Sequence, residues 1–178
     1  MRGTTRTVAV AVMSAAALLA AGCGGGDSSK SSKLKTYSGP PVTQVVVKKG
    51  DRKLYLISGK SVVKTYEIKL GQQPVGDKKY EGDGKTPEGV YFIDRFNPNS
   101  RYYLSVGISY PSAQDVAEAA ALGLRPGGDI FIHGLGREGR VQSKLRKDWT
   151  AGCIAVTDDE IEEIFTMLRP GVPIFIYP

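Results

Sequence analysis

The chain is organised around residues 130–156, which read IFIHGLGREGRVQSKLRKDWTAGCIAV. This stretch contains the single histidine of the sequence, His133, and one of its two cysteines, Cys153. The apolar residues 130–132 predict a buried strand that ends at His133. A free thiol has a pKa of about 8.5, and a neighbouring imidazole can remove its proton and hold the thiolate as an ion pair. The stretch therefore predicts a cleft in which Cys153 is a nucleophile and His133 its base.

Each of the two residues, taken alone, has a simpler interpretation. A single cysteine is usually a small buried apolar side chain, and a single histidine is usually structural or on the surface. Their combination favours chemistry, because the leader described below places the thiol outside the cytoplasm. Ala151 and Gly152 are small and directly precede the sulfur, so backbone N–H groups can approach an acyl oxygen there.

Upstream of this stretch the sequence predicts strands. Residues 61–70 alternate cleanly, with Tyr66, Ile68 and Leu70 on one face and polar residues on the other. Similar segments rich in Val, Ile and Tyr predict further strands at 42–48, 53–58, 90–96, 102–108 and 173–177. Strands outnumber helices, so we expect a mostly β fold with flanking helices (α+β), as an antiparallel β-sandwich or a partly closed barrel.

Two helices and one long loop complete the predicted domain. Ser112 and Asp115 form a capping pattern before a helix that ends near Gly123. Thr157 and Glu160 form a second capping box, followed by an apolar stripe that continues to Leu168. Residues 71–89 are rich in Gly and contain almost no large apolar side chain, which predicts a functional loop at the rim of a cleft.

The first 41 residues predict export and a flexible attachment. Residues 1–22 have a basic start and a short apolar run, as in a signal peptide of the lipoprotein type. Cys23 is the predicted lipidation site, although Ala20 stands where the usual cleavage box has Leu. Residues 23–41 then form a Gly- and Ser-rich flexible tether, and residues 42–178 form one catalytic domain. We expect an extracytoplasmic protein, anchored by lipid to a bacterial membrane.

Charge and cysteine usage exclude several classes of function. The formal net charge of +6 at pH 7 falls when Arg2 and Arg6 leave with the leader, and no basic stripe with interleaved aromatic residues predicts nucleic-acid binding. One His and one Cys cannot form a closed zinc site, so we expect no metal and no cofactor. With Cys23 lipidated, Cys153 has no disulfide partner, and an unpaired thiol outside the cytoplasm is typically kept for reactivity.

Several motifs together resemble one known family. His133 and Gly134, followed after a spacer by TAGCIA at residues 150–155, resemble the signature of the L,D-transpeptidase catalytic domain of the YkuD type. The family's usual form ends in Ser/Thr-His-Gly-Cys, and DWTAGCIAV looks like a subgroup variant. Residues 82–91 (GDGKTPEGVY) and 109–115 (SYPSAQD) extend the likeness across 42–178.

The resemblance implies a substrate and a role for each site residue. The expected substrate is a peptidoglycan stem peptide, whose third residue forms a thioester with Cys153 as the terminal D-alanine leaves. His133 would activate the thiol and protonate the leaving amine, with its ring oriented by the backbone carbonyl of Gly134. The N–H groups of Gly152 and Cys153 would hold the oxyanion, with Ala151 as a further donor.

The sequence departs from the family pattern at two positions, where Ala151 replaces the usual His and Ala155 the usual Arg. Other groups must therefore bind the substrate, and the candidates are Thr150, Lys85, Arg125, Arg137 and Arg146. For the four cations an exposed surface position is the simpler interpretation. The acyl acceptor stays open between a stem amine, a wall-attached protein and water. A hydrolase of the same fold (an L,D-carboxypeptidase or cross-link amidase) and a non-catalytic, lipid-anchored wall-binding module are the alternatives.

Overall fold

The computed structural model describes residues 36–178, together with Gly3 and Leu34. The predicted signal peptide, the lipidation site Cys23 and most of the predicted tether lie outside the described residues. The end of that tether packs on the domain, because the ring of Tyr37 lies against the apolar core and its hydroxyl donates to the carbonyl of Pro40. Among the described residues, no helix has the length and apolar character that crossing a bilayer requires.

The described chain folds as one eight-stranded sheet with three helices. The strands are β1 (Gln44–Lys48), β2 (Lys53–Ser58), β3 (Ser61–Glu67), β4 (Gly89–Ser100), β5 (Tyr103–Ile108), β6 (Phe131–His133), β7 (Ile154–Ala155) and β8 (Pro173–Tyr177). The helices are α1 (Ala113–Ala121), α2 (Gly136–Leu145) and α3 (Asp158–Met167). The strand order is β3-β2-β1-β8-β4-β5-β6-β7. The prediction of a mostly β fold with flanking helices is confirmed.

The sheet is mixed, which differs from the expected antiparallel arrangement. Most neighbouring strands run antiparallel, but β1 pairs with β8 and β6 pairs with β7 in parallel. Parallel neighbours need a crossover connection, and α2 supplies the one between β6 and β7. Neither α2 nor the parallel β6–β7 pair that carries the site is predicted by a local sequence signal.

The two edges of the sheet approach each other without closing into a barrel. The chain after β3 forms isolated bridges, from Lys69 to Ala155 and from Gly71 to Thr150. The backbone N–H groups of Lys69 and Ala155 each donate to the other's carbonyl, both at 2.8 Å. The long loop at residues 71–89 therefore begins beside the segment that leads into β7.

Two of the helices form where their caps are predicted. Both capping boxes are present, from Ser112 and Asp115 at α1 and from Thr157 and Glu160 at α3. The apolar stripe of α3 is buried and packs on β5 and β6. This packing places α3 behind the strand that ends at His133.

The start of helix α2 is capped by a residue from another helix. Its N-cap, Leu135, makes no side-chain cap. Asp158 of α3 instead accepts from the backbone N–H groups of Leu135, at 2.7 Å, and Gly136, at 3.0 Å. These are N–H groups that a helix start leaves without internal partners, so a tertiary contact supplies the missing cap.

Candidate active site

Strands β6 and β7 place His133 and Cys153 in one cleft. Ile132 pairs with Ile154 and His133 with Ala155, so Cys153 lies just before β7 and beside Phe131 at the start of β6. Side chains two positions apart share a face of a strand, which directs His133 and Cys153 to the same side. Both residues line a cleft of about 430 Å³.

The imidazole of His133 is fixed by its own neighbour. Its Nδ1 lies 2.6 Å from the carbonyl oxygen of Gly134, so the Nδ1–H tautomer donates there and Nε2 is left as the basic nitrogen. A Cβ at residue 134 would lie 2.7 Å from Oδ1 of Asp158 and 2.9 Å from Ile161. Glycine is therefore required for the turn that presents this carbonyl.

Two aromatic side chains enclose the imidazole. The ring of Tyr102 stacks on His133, with centroids 4.5 Å apart and an interplanar angle of 27°. The indole of Trp149 meets it edge-on, at 5.6 Å and 71°. Only 2% of His133 is exposed. Burial lowers the pKa of His133 from 6.5 to about 4, and the Gly134 carbonyl only partly opposes the shift, so the ring is neutral at neutral pH.

The thiol of Cys153 is protonated at rest. The residue is partly exposed, and its Sγ–H donates to the carbonyl oxygen of Asp129 at 3.4 Å. Burial raises the pKa of the Cys153 thiol, and the charge of Asp129 adds to this effect. The direction of both pKa shifts therefore disfavours the expected thiolate–imidazolium ion pair in the resting protein. Removal from water disfavours the charged form of both groups, so a neutral thiol and a neutral base share the cleft.

Thr150 shapes the turn that presents the sulfur. Its Oγ1 donates to the carbonyl of Cys153 at 2.7 Å and accepts from the N–H of Gly152 at 3.1 Å. The second bond corrects an expectation, because the N–H of Gly152 is already engaged and does not face an oxyanion in this conformation. Gly152 has φ 144°, and a Cβ there would lie 2.7 Å from the carbonyl oxygen of Lys85.

Buried polar contacts hold the predicted cleft loop at residues 71–89 in place. The ammonium of Lys49 donates to the carbonyls of Gly76 and Thr86, at 2.7 and 2.8 Å, and to the carboxylate of Glu88 at 2.8 Å. The hydroxyl of Thr86 accepts from the N–H of Gly71 at 3.2 Å. The loop contributes Gln72 to the lining of the cleft.

Of the predicted substrate-binding residues, only Thr150 and Arg146 reach the cleft. Thr150 lines the cleft, and Arg146 reaches its rim by donating to the side chain of Gln72 at 2.9 Å. The side chains of Lys85, Arg125 and Arg137 are not among the lining groups. Arg125 pairs with Glu81 at 3.0 Å on the surface. These three cations were proposed from charge and loop position, which do not specify side-chain direction.

The cleft also contains residues that the sequence analysis did not select. Its lining is completed by Gln72, Arg101, Tyr102, Glu138, Gln142 and Trp149. Arg101 and Glu138 form an ion pair at 3.3 Å, between the β4–β5 connection and α2. Trp149 stands within the quoted motif, which was the available signal for it. Glu138 and Gln142 also lie within residues 130–156, on α2, whereas Gln72, Arg101 and Tyr102 come from distant segments that only the fold brings together.

An oriented, neutral imidazole and an unpaired thiol in one cleft define a candidate Cys-His active site, the class in which the base activates a sulfur nucleophile. Residues 43–176 match the model of the YkuD family, described as the L,D-transpeptidase catalytic domain. The chain belongs to this family.

Individual relatives agree with this assignment. YafK of Escherichia coli (strain K12), provisionally described as an L,D-transpeptidase, is 29% identical over 161 residues, which cover 84% of this chain and 58% of YafK. The structure is similar to the helical cell shape determining protein Pgp2 of Campylobacter jejuni, with a TM-score of 0.60 and 31% identity. That match covers 79% of this chain and 49% of Pgp2.

A third comparison supports the fold alone. The L,D-transpeptidase from Mycobacterium smegmatis has a TM-score of 0.52 at 14% identity, over 79% of this chain and 60% of the other. The chain thus spans about half to three fifths of the length of the proteins that it matches.

Proposed function

We propose that the protein is a cysteine-dependent L,D-transpeptidase that acts on peptidoglycan stem peptides through an acyl-enzyme on Cys153. The observation that carries the proposal is the pair of His133 and Cys153 in one cleft, with the imidazole held through Nδ1 so that Nε2 is free. Family membership supplies the class of reaction.

The resting protonation states suggest how the reaction begins. Because both groups are neutral at rest, His133 acts as a general base during attack and not as one half of a preformed ion pair. The sulfur attacks the carbonyl carbon of the third stem residue while Nε2 takes the thiol proton. The imidazolium then protonates the departing amine, D-alanine leaves, and a thioester remains on Cys153.

The developing oxyanion needs backbone donors. The N–H of Gly152 is bound to Thr150, so the N–H groups of Cys153 and Ala151 are the remaining candidates near the sulfur. A single lost donor of this kind typically costs roughly 2.7 to 4 kcal/mol of barrier. Thr150 fixes the backbone that carries both groups, which makes it a positioning residue in this mechanism.

Transfer and attachment extend the proposal. An amine of a second stem peptide would attack the thioester to give a 3-3 cross-link, and an amine of a wall-attached protein would give protein attachment. The leader sequence supports export of the domain, with Cys23 as the lipidated residue at the membrane.

The test uses purified protein and disaccharide-tetrapeptide muropeptides that end in D-alanine. Transfer predicts release of D-alanine together with a cross-linked dimer, and Cys153→Ala releases none. D-alanine release without any dimer, even with excess acceptor, would show that the protein is a hydrolase and not a transpeptidase. Absence of both products would contradict the proposed enzyme and favour the wall-binding alternative.

A further inference from the structure

The indole nitrogen of Trp149 is a buried donor with no acceptor. Trp149 is only 6% exposed, and its Nε1 is the one buried side-chain nitrogen or oxygen of the described residues without a hydrogen-bond partner. The indole is a donor only, and a buried tryptophan N–H usually has a partner. Trp149 lines the cleft of His133 and Cys153, and an unpartnered donor in such a residue is a candidate for a contact that forms when a ligand binds.

The neighbouring polar groups are already engaged with other partners. Asp148 binds the guanidinium of Arg52 and accepts from the N–H of Leu70 at 2.9 Å. The hydroxyl of Thr150 makes the two bonds that shape the nucleophile turn. The side chains on either side of Trp149 in the sequence are therefore both engaged with other partners.

Helix α2 keeps the indole beside the imidazole. A Cβ at Gly139 would lie 2.7 Å from Cη2 of Trp149, so this position of α2 must be glycine for the ring to fit. On the other side the indole approaches His133 edge-on and Tyr102 at 5.7 Å. Trp149 is therefore part of the aromatic surface that encloses the base of the proposed reaction.

The mouth of this part of the cleft carries a cation. Arg101 lines the cleft and is largely exposed, and its partner Glu138 is also solvent-accessible. An exposed ion pair of this kind contributes little free energy, so an incoming carboxylate can replace Glu138 without a large cost. Arg101 then supplies the charge and Trp149 supplies a fixed donor.

We propose that the indole N–H of Trp149, together with Arg101, binds the terminal carboxylate of the residue that leaves the acyl donor. The inference rests on the proposed function and deepens it, because it identifies the end of the donor peptide that the cleft binds. It makes Trp149 a specificity-determining residue that selects donors with a free C-terminus.

The first experiment observes the N–H directly. Trp149 is the single tryptophan of the sequence, so the ¹⁵N-labelled protein gives one indole cross-peak. A synthetic tetrapeptide that ends in D-alanine is added to Cys153→Ala, which prevents turnover. We expect the indole proton to move downfield on binding, and to move much less with the C-terminal amide of the same peptide. Peptide binding without movement of the indole signal would overturn the proposal.

The second experiment removes the donor and keeps the ring. Benzothienylalanine at position 149 replaces N–H by sulfur in nearly the same shape. With the free-acid peptide, KM should rise by roughly 10- to 100-fold, the range for a hydrogen bond to a charged group, with kcat little changed. With the amide peptide KM should rise much less. Arg101→Gln should likewise raise KM more for the free-acid peptide than for the amide peptide.

A matched control and two outcomes complete the test. Lys60→Gln removes one exposed positive charge in the β2–β3 turn and should leave the kinetics of both peptides unchanged. Equal losses for acid and amide peptides in the benzothienylalanine protein would show that the N–H does not contact the carboxylate, while the proposed function would stand. Failure of the wild-type protein to bind or process either peptide would overturn both.

Discussion

Replacing His133 with Gln should remove a pH-dependent part of the free energy of unfolding. Burial lowers the pKa of His133 from 6.5 to about 4, so the native state keeps the ring neutral at pH values where the unfolded chain takes up a proton. The free energy of unfolding therefore falls as the pH falls from about 6.5 towards 4. At about 1.36 kcal/mol per pKa unit, this group alone should cost the wild type about 3 kcal/mol by pH 4.

The assay is urea unfolding followed by circular dichroism at several pH values. Carboxylates also titrate in this range, but they do so in both proteins, so the difference between wild type and His133→Gln isolates the imidazole. Gln is similar to the imidazole in size, keeps an N–H donor and does not titrate, which makes it a suitable non-titrating replacement.

The expected result is a stability difference that changes by about 3 kcal/mol in favour of the variant between pH 7 and pH 4. Whatever the variant loses in packing applies at every pH and does not affect this slope. Parallel curves for the two proteins would refute the reasoning, because they would mean that His133 titrates normally in the native state.

Substitutions at three further positions test the geometry of the cleft. Thr150→Val should lower the free energy of unfolding by about 1 to 3 kcal/mol and slow acylation, because Gly152 N–H and the Cys153 carbonyl lose their partner, whereas Thr150→Ser should retain both properties. Gly152→Ala should abolish acyl-enzyme formation with a normal circular dichroism spectrum, because its φ of 144° strains any side chain. Gly139→Ala should shift the fluorescence of Trp149, since its Cβ would lie 2.7 Å from the indole.

The sequence predicts the parts of the fold that local signals determine. The alternation around Tyr66 gives the buried face, and Tyr66, Ile68 and Leu70 are all buried. The two capping boxes locate α1 and α3 because the caps lie within the helices' own sequences. Such elements need no knowledge of distant partners.

Helix α2 and its consequences could not be predicted in this way. Its sequence is rich in glycine, and its two apolar residues, Val141 and Leu145, are both exposed. The helix start is capped by Asp158, which lies after α2 in the sequence and belongs to α3. No periodic pattern records a tertiary cap, so the parallel β6–β7 pair was missed as well.

The candidate site also has some features that the sequence predicts and others that depend on the fold. The motif predicts that Cys153 and His133 share one cleft and gives Gly134 as the partner of the histidine ring. The protonation states could not be read from the sequence, because they follow from burial, and burial disfavours the expected ion pair. Arg101 and Glu138 come from separate segments, and only the folded chain brings them to one cleft.

The most direct measurement is the intact mass of the protein after brief exposure to a tetrapeptide muropeptide, followed by peptide mapping. The account predicts an adduct equal to the substrate minus D-alanine, located on Cys153, and its absence in Cys153→Ala. His133→Gln should form the adduct far more slowly, because the proposed general base is then missing from the cleft. An adduct on another residue, or D-alanine release that persists in Cys153→Ala, would contradict the account.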